Sequence, residues 1–264
     1  MDTTIDGVRL HYALEGQGSD LILIHGLGGS LHDWDAITPV VAKHHRVLRW
    51  DVRGFGESDK PAGPYSPQLF ARDLAGLCRA VGISNAHVAG ISMGGVIAQR
   101  FVLDFPDLVR SLTLMSTSSE VGEQAQKGWL KLADNVEQRG FSTNPEAAAR
   151  AFSPGFAKAN ANQLAVMAER TAKNTPHAYA AAARAVGTYN WTTELGRIDV
   201  PTLILQGLED VLTPPGGSVK LSRGISRSRL LMIPECGHGM TMEKPEVVTN
   251  ALLAFVAGLE LRQP

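Results

Sequence analysis

Cysteine is nearly missing from this sequence: Cys78 and Cys236 are the two in 264 residues. Two thiols exclude a cysteine-built metal framework and allow at most one disulfide, which sequence alone does not decide. A surplus of one charge is missing as well, with 25 Lys and Arg against 26 Asp and Glu and a net charge of −1. That balance offers no basic field to nucleic acid or to an anionic membrane surface. The short basic spot Lys43-His44-His45-Arg46 reads as a solvated loop. No apolar run approaches the roughly 20 residues of a membrane span. The opening stretch MDTTIDGVRLHYALEG has neither the basic start nor the apolar segment of a signal peptide, so the cytoplasm is the expected compartment. There is no internal repeat, no low-complexity tract and no G-x-x-x-x-G-K-[ST] phosphate loop.

What is present is an ordinary globular composition, 44% apolar and 19% charged, in a chain long enough to bury a core without staples. Asp6-Gly7 between TTI and VRLHYAL predicts a hairpin with a primed turn. LILI (21–24) and RVLRW (46–50) are continuous apolar runs of the kind expected of strands covered on both faces. Ser66-Pro67 opens a helix on which Phe70, Leu74, Leu77, Cys78 and Val81 recur at helical spacing, making Cys78 a small core residue. AHVAG (86–90) reads as a strand, Val96 to Phe105 as a helix and SLTLM (111–115) as a strand. Strands alternating with helices predict an α/β fold with a parallel sheet wrapped by helices. The alternation stops after residue 117. From about Glu120 to Leu195 the pattern predicts about four short helices and no strand. It resumes with PTLILQG (201–207), a helix after Pro214-Pro215, RLLMIP (229–234) and a last helix from Pro245 to Glu260. The chain therefore divides into a core domain, 1–118 and 197–264, and a helical insertion, 119–196.

Gly90-Ile91-Ser92-Met93-Gly94 lies between the strand AHVAG and the helix that follows, and fits the G-x-S-x-G pattern of a nucleophile elbow. A tight turn there lifts the hydroxyl clear of the sheet, and the new helix aims its first amides at the same spot. A hydroxyl needs a base to attack near neutral pH, and the base needs a partner that holds its tautomer. Asp210 follows the end of the strand LILQG, and His238 follows the end of RLLMIP. Taken singly, Asp210 reads as a turn aspartate and His238 as a loop histidine. Jointly with Ser92 they would stand beyond the C-terminal ends of parallel strands, where open α/β sheets keep their sites. An oxyanion needs backbone donors. Met93 would supply one, and Leu27, in the glycine-rich loop His25-Gly26-Leu27-Gly28-Gly29, the other. The same loop, with Asp51 at a later strand end, imitates a dinucleotide fingerprint, but position 31 is Leu31 where a third glycine is required.

The segments HGLGG, DVRGFGESDKP (51–61), GISMGG, LILQGLEDVLTPP (203–215) and GHGMTMEKPE (237–246) resemble, in order and spacing, the α/β-hydrolase superfamily over nearly all of the chain. HRVLRWDVRGFGESDKPAGPYSP and GISMGGVIAQRF are most similar to 3-oxoadipate enol-lactonases and related small carboxylesterases. The resemblance implies a mostly parallel sheet of about eight strands, flanked by helices, with the insertion folded as a cap over the serine. It implies hydrolysis of an ester or lactone through an acyl-serine, with Ser92, Asp210 and His238 as triad, Leu27 and Met93 as oxyanion donors, and no metal or organic cofactor. The partner expected is a small-molecule substrate, with no nucleic acid or membrane partner. Serine at the elbow argues against the dehalogenases and epoxide hydrolases of this fold, which carry aspartate there. Trp129, Met167 and Trp191 are candidate pocket liners, packing within the cap being the competing reading for each. Cys236, two residues before His238, raises the question of a reactive thiol, with loop packing preferred. Rival functions are a C–C bond hydrolase of ring-cleavage products, a cofactor-free perhydrolase, and a ligand receptor that retains a slow triad.

Overall fold

A computed structural model describes residues 1–142 and 144–261. Eight strands form one sheet: β1 (Asp2–Ile5), β2 (Val8–Glu15), β3 (Ser19–Ile24), β4 (His45–Trp50), β5 (Ala86–Ile91), β6 (Val109–Met115), β7 (Thr202–Gly207) and β8 (Ser228–Ile233). Their order is β1-β2-β4-β3-β5-β6-β7-β8. β1 and β2 pair antiparallel, as do β2 and β4, and every later pair is parallel. The first hairpin turns at Asp6 (φ 47°) and Gly7 (φ 79°), the two positive dihedrals that a primed turn demands.

The helices in chain order are α1 (Thr38–Val41), α2 (Pro67–Ala80), α3 (Met93–Asp104), α4 (Glu123–Arg139), α5 (Pro145–Ala149), α6 (Pro154–Ala159), α7 (Ala161–Ala172), α8 (Pro176–Val186), α9 (Gly216–Gly224), α10 (Met240–Glu243) and α11 (Pro245–Glu260). Alternation along each strand divides the core between two faces. Ile22 and Ile24 join Phe70, Leu74 and Leu77 of α2 and Ile97 and Phe101 of α3, whereas Leu21 and Leu23 join Val41 of α1 and Val248, Leu252 and Val256 of α11. Phe70, Leu74 and Leu77 are fully buried and stabilise by roughly 1.5–3 kcal/mol each. Ser66 starts α2 as expected, its Oγ accepting from the Leu69 amide at 3.1 Å. Among the described residues no helix is long and apolar enough to cross a membrane.

Among the described residues, five α-helices, α4 to α8, and a 3-10 turn at Thr192–Arg197 stand between β6 and β7, where about four short helices were expected. Ala133, Ala180 and Ala183 let α4 and α8 approach closely. The two ends of the insertion also pair with each other. Val121 N–H donates to the Tyr189 carbonyl (3.1 Å), Trp191 N–H donates to the Ser119 carbonyl (3.1 Å), and Glu120 bridges Asn190 in antiparallel sense. One bridged position is too short to leave a periodic signature, which is why the sequence reads as strand-free here.

His45, expected in a solvated loop, instead opens β4 and is 3% exposed, with Nδ1 2.9 Å from the Ser19 Oγ and its ring 6.1 Å from that of His87. The β3–β4 register, which sets Ser19 opposite His45, draws it inward.

Candidate active site

Ser92 stands between the last residue of β5 and the first of α3 with φ 55° and ψ −118°, a conformation that strains any side chain by roughly 1–3 kcal/mol. Its neighbours over-determine it. The Ser92 amide donates to the Met115 carbonyl (2.9 Å), and its carbonyl accepts from the Val96 amide and from Thr117 Oγ1, both at 3.1 Å. Glycine is obligatory on either side for lack of space. A Cβ on Gly90 would lie 2.2 Å from the Gly94 carbonyl oxygen, and one on Gly94 would lie 2.1 Å from that of Ile24. The Ser92 side chain does not cap α3, so helix stabilisation does not explain the serine.

Asp210 follows β7 in a tight turn and is 3% exposed. Its Oδ1 accepts from the Leu212 and Thr213 amides at 2.9 and 2.8 Å. Its Oδ2 lies 2.9 Å from His238 Nδ1, and Gln206 Nε2 donates to the same oxygen over 3.4 Å. Gln206 is itself oriented by Ser218, whose Oγ donates to Oε1 at 2.6 Å. A carboxylate facing Nδ1 makes that nitrogen the donor and leaves the Nε2 lone pair free, the tautomer a general base requires. Glu243 of α10 holds the histidine loop: one carboxylate oxygen accepts from the Gly237 amide (2.8 Å), the other from the Ser153 amide in the insertion (3.0 Å). Thus Asp210 and His238 are joined by a hydrogen bond, while none joins the Ser92 hydroxyl to His238 in this structure.

The loop after β3 is a tight turn in which the Gly29 amide donates to the Gly26 carbonyl (3.2 Å) and Gly28 takes φ +76°. Buried His25 fixes its base. Nδ1 lies 2.7 Å from the Gly26 carbonyl and Nε2 accepts from the Val52 amide at 3.0 Å, so the proton sits on Nδ1. Asp51 is absorbed in the same way: its two oxygens accept from the Leu31 and Glu57 amides, both at 2.7 Å, leaving no free carboxylate for a ribose.

Ser92, Met93 and Leu27 share the wall of one cavity of about 460 Å³, lined also by Trp129, Val96, Val186 and Tyr189. Met167 lines a second cavity of about 540 Å³ that shares Leu27 with the first, together with Gly28, Asp33 and Asn174. Trp191 lines neither: it is 3% exposed, stacks on Tyr189 at 4.5 Å, and donates from Nε1 to Gln99 Oε1 at 3.0 Å. Its ring turns into the core because the pairing of the insertion's ends holds its backbone against Ser119. Cys236 and Cys78 are both free and buried, and burial pushes each thiol up to about 12. At Cys236 that leaves packing rather than thiolate reactivity.

His25, Gln206, Glu243 and Asn174 escape sequence reasoning as functional residues. His25 sits inside a recognised glycine loop and Glu243 inside GHGMTMEKPE, but each also binds a backbone amide far along the chain, Val52 for His25 and Ser153 for Glu243, and no local pattern marks Gln206 or Asn174.

A family model described as the alpha/beta hydrolase fold matches residues 21–245. A putative carbamate hydrolase of Azorhizobium caulinodans is 30% identical, over 95% of this chain and 96% of its own length. The 3-oxoadipate enol-lactonase 2 of Acinetobacter baylyi is 28% identical, over 96% and 95%. The crystal structure of the enol-lactonase from Burkholderia xenovorans LB400 superposes with a TM-score of 0.92 at 25% identity, covering 97% of this chain and all of that one.

Proposed function

The chain belongs to the α/β-hydrolase family and is a hydrolase, and from that premise we propose that it cleaves a carboxylic ester or lactone of small to medium size through an acyl-enzyme on Ser92. The observation that carries the reading is the Asp210–His238 hydrogen bond of 2.9 Å, beyond the strand ends that also carry the strained Ser92 elbow. His238 Nε2 removes the Ser92 proton as Oγ attacks the carbonyl carbon. The Leu27 and Met93 amides receive the oxyanion; Met93 N–H opens α3 and has no intrahelical acceptor. His238 then protonates the departing alkoxide, and water activated by the same histidine releases the acid. Asp210 keeps the proton on Nδ1 throughout and stabilises the imidazolium.

The core (1–118 and 197–264) carries this machinery, and the inserted helices (119–196) act as a cap that excludes bulk water and bounds the 460 Å³ cavity. Trp129 supports this role, because it reaches the cavity that Ser92 lines. Structural similarity to an enol-lactonase and to a thermophilic esterase supports an ester or lactone, while sequence relatives of equal identity include both an enol-lactonase and a 2-hydroxy-6-oxo-6-(2'-aminophenyl)hexa-2,4-dienoic acid hydrolase, so the ester assay decides between this and the rival reading. Two free, buried thiols suit a reducing compartment, in keeping with a cytoplasmic enzyme.

The test is a panel of short and long p-nitrophenyl esters and several lactones, run with wild type and Ser92→Ala. Sustained turnover by wild type and its loss in a folded variant are expected. A single stalled burst would indicate a receptor that keeps a slow triad, selective turnover of a vinylogous 1,5-diketone would indicate a C–C hydrolase, and retained activity in Ser92→Ala would refute the assignment.

A further inference from the structure

The loop that carries Leu27 is poor in its own restraints. Three of its four turn residues are glycine, and its closing hydrogen bond, Gly29 N–H to the Gly26 carbonyl, is 3.2 Å long. A backbone so free does not by itself hold an amide in one direction. Two sets of contacts restrain it from outside. On the core side, His25 binds the Gly26 carbonyl. On the other side the contacts come from the inserted helices. Asn174, just past the end of α7 and 146 positions along the chain, donates from Nδ2 to the Gly28 carbonyl at 2.9 Å. The same Nδ2 donates to the Thr171 carbonyl at 3.0 Å, so both amide hydrogens are spent on carbonyls and the side chain has one orientation. Beside it, the Tyr179 ring of α8 lies 2.9 Å from where a Cβ on Gly28 would be. Tyr179 is packed in turn against Phe141 (5.0 Å) and Phe55 (6.4 Å), and Phe55 against His25 (5.6 Å).

Resting on the ester-hydrolase reading above, we propose that Asn174 is a positioning residue for the oxyanion hole: by binding the Gly28 carbonyl it holds the turn that aims the Leu27 amide, so that docking of the inserted helices and assembly of the hole are one event. Peptide planes are rigid, so fixing the Gly28 carbonyl also fixes the Gly29 N–H that closes the turn around Leu27. Asn174 touches no reacting atom. Its effect appears where negative charge develops on the substrate oxygen and is small where neutral substrate binds.

The experiment compares wild type, Ser92→Ala, Asn174→Ala and Asn174→Asp. Alanine deletes the donor. Aspartate keeps the shape and turns a carboxylate toward the Gly28 carbonyl. Asn174 is half-buried at a helix end, and the thermal midpoint of each variant, measured first, sets an assay temperature at which it is folded. The readouts are kcat and KM for p-nitrophenyl butyrate, and the inhibition constant of a trifluoromethyl ketone, whose serine adduct carries an oxyanion. Both Asn174 variants are expected to lose about tenfold in kcat, less than the 10²–10³ for deleting an oxyanion donor outright, with KM within about twofold and ketone affinity reduced by the same factor as kcat. A purely structural role in the insertion would raise KM and spare both kcat and the ratio of ketone to substrate affinity. If Ser92→Ala is dead while both Asn174 variants keep the wild-type kcat, the inference about Asn174 is overturned and the serine mechanism stands. If Ser92→Ala keeps the wild-type rate, the serine mechanism falls and Asn174 loses its role with it.

Discussion

Replacing Asp210 by asparagine is the sharpest test of the proposed base, because the surroundings dictate how the new side chain must sit. Two backbone amides, those of Leu212 and Thr213, point at one oxygen of Asp210 from 2.9 and 2.8 Å. An asparagine NH₂ cannot accept from them, so its carbonyl oxygen must take that side. The NH₂ is then forced toward His238 Nδ1, which in wild type lies 2.9 Å from Oδ2. A donor there requires Nδ1 to accept, which moves the imidazole proton to Nε2 and removes the lone pair that would take the serine proton. Gln206, whose amide nitrogen faces the same oxygen at 3.4 Å, adds a donor–donor clash. The expected loss is about four orders of magnitude in kcat, as for the corresponding change in a serine protease triad, or about 5.4 kcal/mol of transition-state stabilisation. KM stays close to wild type, since the carboxylate touches no substrate. Steady-state hydrolysis of a p-nitrophenyl ester measures the loss, and ¹⁵N spectra of the imidazole report the tautomer. A variant rate within tenfold of wild type, with the tautomer unchanged, would show that Asp210 is not the partner the base depends on.

Two further outcomes follow from backbone strain and from burial. Ser92→Gly removes the nucleophile at a position with φ 55°, where glycine is at ease; it should abolish hydrolysis yet stabilise the fold by about 1 kcal/mol, raising Tm by about 2–4 °C, and an unchanged or lower Tm would contradict the strain argument. His87 is 1% exposed, and burial, followed by the nearby Arg110 charge, lowers its pKa from 6.5 to about 4. Between those values the unfolded chain binds the proton that the folded one refuses, so stability is full above about pH 6.5 and is lost as pH falls toward 4, by about 3 kcal/mol. Urea unfolding midpoints from pH 7 to 4 should therefore decline steeply in wild type and less steeply in His87→Gln, and parallel declines would assign the acid sensitivity to other groups such as His45, whose pKa burial also lowers.

Much of the fold is legible because its signals are short-range. Leu21 to Ile24 alternate between two apolar layers whatever lies far away, Ser66-Pro67 opens its helix by local chemistry, and the glycines of GISMGG announce a turn that larger residues could not make. The candidate site is legible to the same depth: Ser92, Asp210 and His238 can each be placed at a strand end from the strand's own pattern. Sequence reading stops where a residue's surroundings come from elsewhere. His45 reads as solvated until β3 is set beside it, and Trp191 fits a pocket wall and cap packing equally until the pairing of the insertion's ends turns its ring toward Gln99.

Sequence by itself determined the alternation of strands and helices, the helical interruption after residue 117 and the identity of the strained serine, because periodicity, capping and turn chemistry act over a few neighbouring residues. Tertiary structure alone decided that Oδ2 of Asp210 meets Nδ1 of His238, that His25 carries its proton on Nδ1, and that Asn174 grips the Gly28 carbonyl. Those are contacts between groups 28, 1 and 146 positions apart, and even the shortest depends on a distant loop, since the Val52 amide, just beyond β4, is what selects the tautomer of His25. Hydrogen bonds are satisfied by whatever the packed sheet and helices bring within 3 Å or so, and that proximity is a property of the whole fold.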